Sequence, residues 1–143
     1  MLINIPLTIA PLLVYNLVVF GVLGDVSGQG EPWQQEIFTF PMVSGARWTL
    51  VLGDLMIISG VVLLFFEILK ATRTGPGSIV DHLLSTLVFA VYLVEFLIVG
   101  KAADSVFFVL MIIALIDVIG GFSITIRGAR RDFGIGGHGD HHP

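Results

Sequence analysis

The sequence predicts an all-α integral membrane protein: four transmembrane helices in an antiparallel bundle, with both termini on the cytoplasmic side. Three observations lead there. Apolar residues make up 55% of the 143 positions and charged ones only 13%, with a mean hydropathy of +0.97, a composition far from that of a soluble domain. The apolar residues gather into four runs, near 5–23, 48–69, 79–99 and 105–126, each close to the ~20 residues that cross a hydrocarbon core of roughly 30 Å. Four crossings put Lys70, Arg73, Arg127, Arg130 and Arg131 on one side and only Arg47 and Lys101 on the other, so the positive-inside rule makes the first side cytoplasmic.

The first run follows Met1 almost directly, and no Lys or Arg precedes Arg47. A cleaved signal peptide wants a basic n-region, so this run is read as a retained span. Pro6 suits an N-terminal turn, whereas Pro11 lies inside the run, where a ring is expected to kink the helix. Asn4, Thr8, Pro11 and Tyr15 share one helical face, with Asn16 alongside.

The outer loop, 24–47, opens on the turn formers of "GDVSGQGEP". Its second half, "EPWQQEIFTFPM", suits either a short interfacial helix or ribbon on the bilayer surface or an ordered cap over the bundle.

In the second span Gly53, Gly60 and Glu67 fall on one face, while Asp54 points away. Glycines at seven-residue spacing suit close helix packing. Gly75-Pro76-Gly77 stops this helix, and "GKAAD" turns the third span into the fourth. Such short connections make spans two, three and four sequential antiparallel neighbours. In the fourth, Gly120 and Gly121 lie about one turn beyond Asp117 and mark a second close approach. Residues 1–126 thus form the transmembrane domain. Residues 127–143 form a basic, then glycine- and histidine-rich cytoplasmic tail, expected to be disordered beyond Phe133.

The chemistry-bearing residues are acids inside the spans: Asp54, Glu67, Asp81, Glu95 and Asp117. A charged group at the bilayer centre costs about 2.5–3.5 kcal/mol on insertion scales, and Asp117 is the deepest. At about 100° per residue, Asp81, Ser85, Val88, Tyr92 and Glu95 lie within roughly 40° of one another. This polar stripe runs about 21 Å along the third span, and lipid is not a suitable neighbour for it.

Two readings of the acids follow. In the first, Asp54, Glu67, Asp81, Tyr92, Glu95 and Asp117 line a cation or proton pathway. Asp54 and Glu95 form its outer pair; Glu67, Asp81, His82 and Asp117 form its inner cluster. In the second, the acids are satisfied locally: Glu67 by Lys70, Asp81 by Arg73 or the helix dipole, Glu95 by Lys101, and Asp117 by Tyr92 or Asn16.

Other chemistries find little footing. No cysteine occurs, which removes thiol catalysis and thiolate metal sites. There is no nucleophile elbow, phosphate-cradling glycine loop or H-E-x-x-H signature, so the chain is not read as an enzyme. His82, alone within the spans, does not supply a haem's two axial ligands, and no cofactor is expected. His138, Asp140, His141 and His142 can hold a divalent ion only adventitiously, so no metal site is assigned. A basic nucleic-acid footprint is absent; the partner is the lipid bilayer.

The expectation is therefore a small homo-oligomeric protein of a bacterial-type inner membrane, joined through the third span or the glycine faces. Its function is a cation- or proton-conducting channel or small coupled transporter. The alternative is a non-catalytic accessory or assembly subunit of a larger membrane complex.

Overall fold

Residues 4–24, 30–73 and 75–135 are described by the structure, a computed structural model. The elements run α1 (Ile9–Val19), a 3-10 turn (Pro32–Gln34), β1 (Glu36–Pro41), β2 (Arg47–Val51), α2 (Leu52–Ala71), α3 (Pro76–Ile98), a second 3-10 turn (Gly100–Ala102) and α4 (Ser105–Ile135). Three of these helices, α2, α3 and α4, are long and apolar enough to cross a membrane.

The first apolar run is helical for only 11 residues, about 17 Å at 1.5 Å per residue. Its limits are chemical. Pro11 is the third residue of α1, where its missing N–H costs nothing, but its ring would strike the carbonyl of residue 7 if the helix began earlier. Pro11 therefore sets the start of the helix and does not kink its middle. At the other end Gly21 has φ 70. Its N–H reaches the Val18 carbonyl at 3.1 Å, and the Val22 N–H reaches the Leu17 carbonyl at 3.0 Å, a Schellman stop. The run is nevertheless laid out lengthwise. The Asn4 side chain touches the start of α3 at Gly77, and the Phe20 ring lies 5.2 Å below the Lys101 ammonium, just past the end of α3.

The all-α expectation needs correcting at the loop. Residues 36–51 form an antiparallel hairpin, with Phe38 opposite Leu50 and Phe40 opposite Trp48 and an irregularity between Glu36 and Phe38. This is the ribbon of the two forms expected there. The second helix consequently starts at Leu52, because Trp48–Val51 hydrogen-bond as a strand. Asp54 marks the change: its Oδ2 accepts the Val51 N–H at 3.2 Å, satisfying an orphan donor at the helix start. At the far end, α4 continues to Ile135, so the first part of the expected tail is helix. Residues 136–143, with the histidines of the tail, lie outside the described residues.

α4 is the hub. Gly53 meets Val106, and Gly60 meets Leu110 and Ile113, so α2 and α4 run parallel with their axes close. Phe107 of α4 lies against Tyr92 and Phe96 of α3, while His82 meets Gly121, so α3 and α4 run antiparallel. α4 packs extensively on both helices, whereas α2 and α3 make few contacts with each other. The expected α2–α3 neighbour pair is thus displaced, because the glycine face of α2 turns to α4. The core is Phe107, Leu110, Ile113 and Ala114 of α4 with Leu12 and Tyr15 of α1 and Tyr92 of α3.

Asp104 ties together the end of the bundle at which α4 begins. Its Oδ1 accepts the Phe107 N–H at 2.8 Å, capping α4, while its other oxygen takes the Tyr15 hydroxyl. Tyr15 also lies 3.0 Å from the Lys101 carbonyl and stacks on Trp33. Asp104→Ala is expected to cost about 1–2 kcal/mol through the lost cap and the lost charged acceptor of the Tyr15 hydroxyl, which keeps only the Lys101 carbonyl. Asp104→Asn should recover most of that loss in a thermal melt in detergent.

Candidate functional site

The site is a polar seam where the N-terminal half of α1 meets α2, α3 and α4. Its centre is Lys70, in the last turn of α2. The Lys70 ammonium lies 3.0 Å from Glu67 Oε1 and 2.9 Å from Asp81 Oδ1, and donates to the Ile5 carbonyl at 3.0 Å. Glu67 Oε1 also accepts the Leu7 N–H. One cation therefore joins two carboxylates on two helices and holds the segment entering α1. Glu67 is 1% exposed and Asp81 6%, so neither charge is shared with solvent or lipid.

One level deeper, Asp117 (5% exposed) accepts the Thr8 hydroxyl at Oδ2, 3.4 Å away. Ser85 is buried facing the same carboxylate, although its hydroxyl has no hydrogen-bond partner among the described residues. Tyr92 donates to the Thr8 carbonyl at 2.9 Å. The helix start of α1 is thus anchored twice, from α3 and from α4. Asn16, offered by sequence as a donor to Asp117, bonds its own chain at Leu12.

The stripe of α3 is buried from Asp81 through Ser85 and Val88 to Tyr92, and Glu95, at its end, is half-buried. Glu95 Oε1 has no partner among the described residues. Its carboxylate lies in an apolar groove of about 430 Å³ between α1 and α3, lined by Asn16, Phe20, Val91, Val94 and Ile98 among others. Lys101, the expected partner, sits over Phe20. Asp54, the other half of the expected outer pair, is at the start of α2 and outside this groove. α2 and α3 meet at Lys70 and Asp81 but make few contacts otherwise, and Asp54 is not among the residues lining the Glu95 groove.

No family profile matches the chain, and no curated protein or solved structure is similar to it. The seam must be read from its own chemistry.

One expected inner-cluster member parts company. His82 turns to α4, with Nε2 2.6 Å from Thr125 and 3.3 Å from Ser78. A Cβ on Gly121 would come within 2.6 Å of its ring, so Gly121 is small for His82. Gly53 and Gly60 are likewise occupied within the chain, against Val106 and Leu110. These faces are not free for an oligomer contact. Gly120, also expected as a packing residue, meets no neighbour among the described residues.

Sequence reasoning missed Lys70 as the bridge, expecting Arg73 beside Asp81. It also passed over Thr8 as the Asp117 donor and Asp104 as the Tyr15 partner. Lys70 had one usable signal, as the single lysine in the last turn of an apolar run holding a carboxylate three residues back. Thr8 and Asp104 had none, since their partners are 109 and 89 residues away.

Proposed function

We propose that this protein is a small, non-enzymatic assembly or accessory subunit of a membrane complex, formed with copies of itself or with other chains. It crosses a bacterial-type inner membrane four times with both termini cytoplasmic. The observation that carries the reading is the closed Glu67–Lys70–Asp81 network. Its ammonium occupies the space a conducted cation would need, and both acids are spent on holding α1, α2 and α3 together. Buried charges of this kind are better attested as devices for specifying a packing than as sources of stability.

The fourth crossing is supported by the layout of the first run, which extends along the length of α3 although only 11 residues of it are helical. The hairpin, with Phe38, Phe40 and Trp48 about half exposed, suits the outer interface, where aromatic rings settle at headgroup level. Glu95 is the carboxylate left for a partner. A largely apolar groove around an acid that has Asn16 beside it and one oxygen, Oε1, without a partner among the described residues suits a neighbouring helix that brings a hydrogen-bond donor or a cation.

A second reading, a proton relay or small coupled transporter, is favoured by the succession Tyr92, Thr8, Asp117, Ser85 and Glu67 across the seam. A small cleft of about 160 Å³ also opens beside Lys70 and Asp81. Reconstitution in liposomes under a pH gradient separates the two. On the assembly reading, proton flux stays at the lipid baseline, and Glu95→Leu reduces recovery of the assembled species in mild detergent by about tenfold, the equivalent of one charged hydrogen bond. Flux that disappears in Asp117→Asn would overturn that reading and establish the relay.

A further inference from the structure

At the opposite end of the bundle from the hairpin, the end of α2, the start of α3 and the extension of α4 enclose a cleft of about 440 Å³. Three guanidinium-bearing residues line it. Arg73 comes from just past α2; Arg127 and Arg131 come from successive turns of α4, four apart and hence on one face. Among the described residues, the ion pairs are those of Lys70 with Glu67 and Asp81, and none involves these arginines. The described lining contains no carboxylate. Its other polar side chains are Thr72, whose hydroxyl is spent on the Leu69 carbonyl at 2.7 Å, and Ser78 and Thr125, whose hydroxyls lie 3.4 Å apart and meet His82. The other wall is apolar, with Ile79 and Ile124, and Ile79 is 62% exposed.

We propose that this cleft binds the phosphate headgroup of an anionic membrane lipid, with acyl chains running down past Ile79 and Ile124. Three like charges around one hollow repel one another until an anion fills it, and guanidinium groups pair with phosphate oxygens through parallel hydrogen bonds. The depth is right as well. α4 has 31 residues, about 46 Å at 1.5 Å per residue, against a hydrocarbon core of roughly 30 Å. Arg127 and Arg131 therefore emerge at headgroup level, with hydrocarbon beginning at Ile124. Basic pockets between spanning helices on the cytoplasmic side are a recurrent place for such headgroups. Free phosphate would use the arginines alone; a lipid uses the apolar wall too.

Native mass spectrometry of the delipidated full chain, titrated separately with phosphatidylglycerol and phosphatidylcholine, tests this. The anionic lipid should bind tighter by about fivefold for each arginine engaged. The preference should vanish in Arg73→Gln/Arg127→Gln/Arg131→Gln and persist in Arg130→Gln, a residue outside the cleft. If the triple variant does not fold, Arg127→Gln and Arg131→Gln are read singly, each with a severalfold loss. Equal binding of the two lipids, or a preference that survives the removal of the arginines, would overturn the proposal. So would complete displacement of phosphatidylglycerol by millimolar inorganic phosphate, which would make the cleft a phosphate site. Failure here leaves the assembly reading standing, since that rests on Lys70 and Glu95.

Discussion

Lys70→Met is expected to cost about 3–5 kcal/mol, the largest single-residue loss in this fold, because it strands two buried carboxylates at once. The Lys70 side chain is 14% exposed, and those of Glu67 and Asp81 are 1% and 8% exposed. Without the ammonium, both acids must be neutralised or drag water into a seam sealed by α1. The Ile5 carbonyl loses its donor too, so the entry to α1 should loosen first. A second variant separates charge from packing. Lys70→Met combined with Glu67→Gln and Asp81→Asn removes all three charges while keeping their volumes close, and neutral replacement of a buried ion network is often tolerated. The triple variant should therefore recover more than half of the loss in a denaturing-detergent titration. A loss below about 1 kcal/mol for Lys70→Met, the range of an exposed pair, would mean that the bridge does not hold the helices.

The parts of this architecture legible in the sequence are those that composition and periodicity control. The runs at 48–69, 79–99 and 105–126 are visible because about 20 apolar residues in succession have few other homes. The buried face of α3 is visible because Asp81, Ser85 and Tyr92 fall on one side of a helix whatever they touch. What stays hidden are hydrogen bonds that override hydropathy. Leu7 and Val22 are as apolar as their neighbours, yet Pro11 and Gly21 exclude both from α1. Trp48–Val51 reads as the start of a span and is a strand, because Phe40 and Phe38 pair with it across a turn. Neighbour relations are hidden for a related reason. A four-residue connection between α2 and α3 argues for contact, but Gly53 and Gly60 admit α4 so closely that it takes the place of α3. The candidate site shows the same division. The five acids of the apolar runs declare themselves by their cost in lipid, and the Glu67–Lys70 pair by its spacing, while Thr8, the donor to Asp117, is 109 residues away and no local pattern marks it.

Phe107→Ala is the second large effect, expected at about 2–3 kcal/mol, and it tests whether the half of the bundle nearer the hairpin is held by packing. Phe107 is fully buried. Its ring centroid lies 4.8 Å from Tyr15 of α1, 5.4 Å from Tyr92 and 6.4 Å from Phe96 of α3. In a soluble core, Phe→Ala costs about 3–5 kcal/mol, part transfer from water and part cavity. Between helices that separate into lipid the transfer part largely disappears, since acyl chains are as apolar as the core. What remains is lost dispersion contact and the cavity, which puts the expected value below the soluble range. The same argument predicts that Leu87→Ala, 61% exposed on the outward face of α3, changes the unfolding midpoint negligibly, because its side chain exchanges one hydrocarbon neighbour for another. Phe107 is also the ring shared by α1, α3 and α4, so its loss should free α1 ahead of the rest. A cysteine placed at Leu12 should then label faster in Phe107→Ala than in the parent, with a cysteine at Met56 on α2 little changed. Equal acceleration at both positions would show that α1 is no separate unit, and that the bundle opens as a whole.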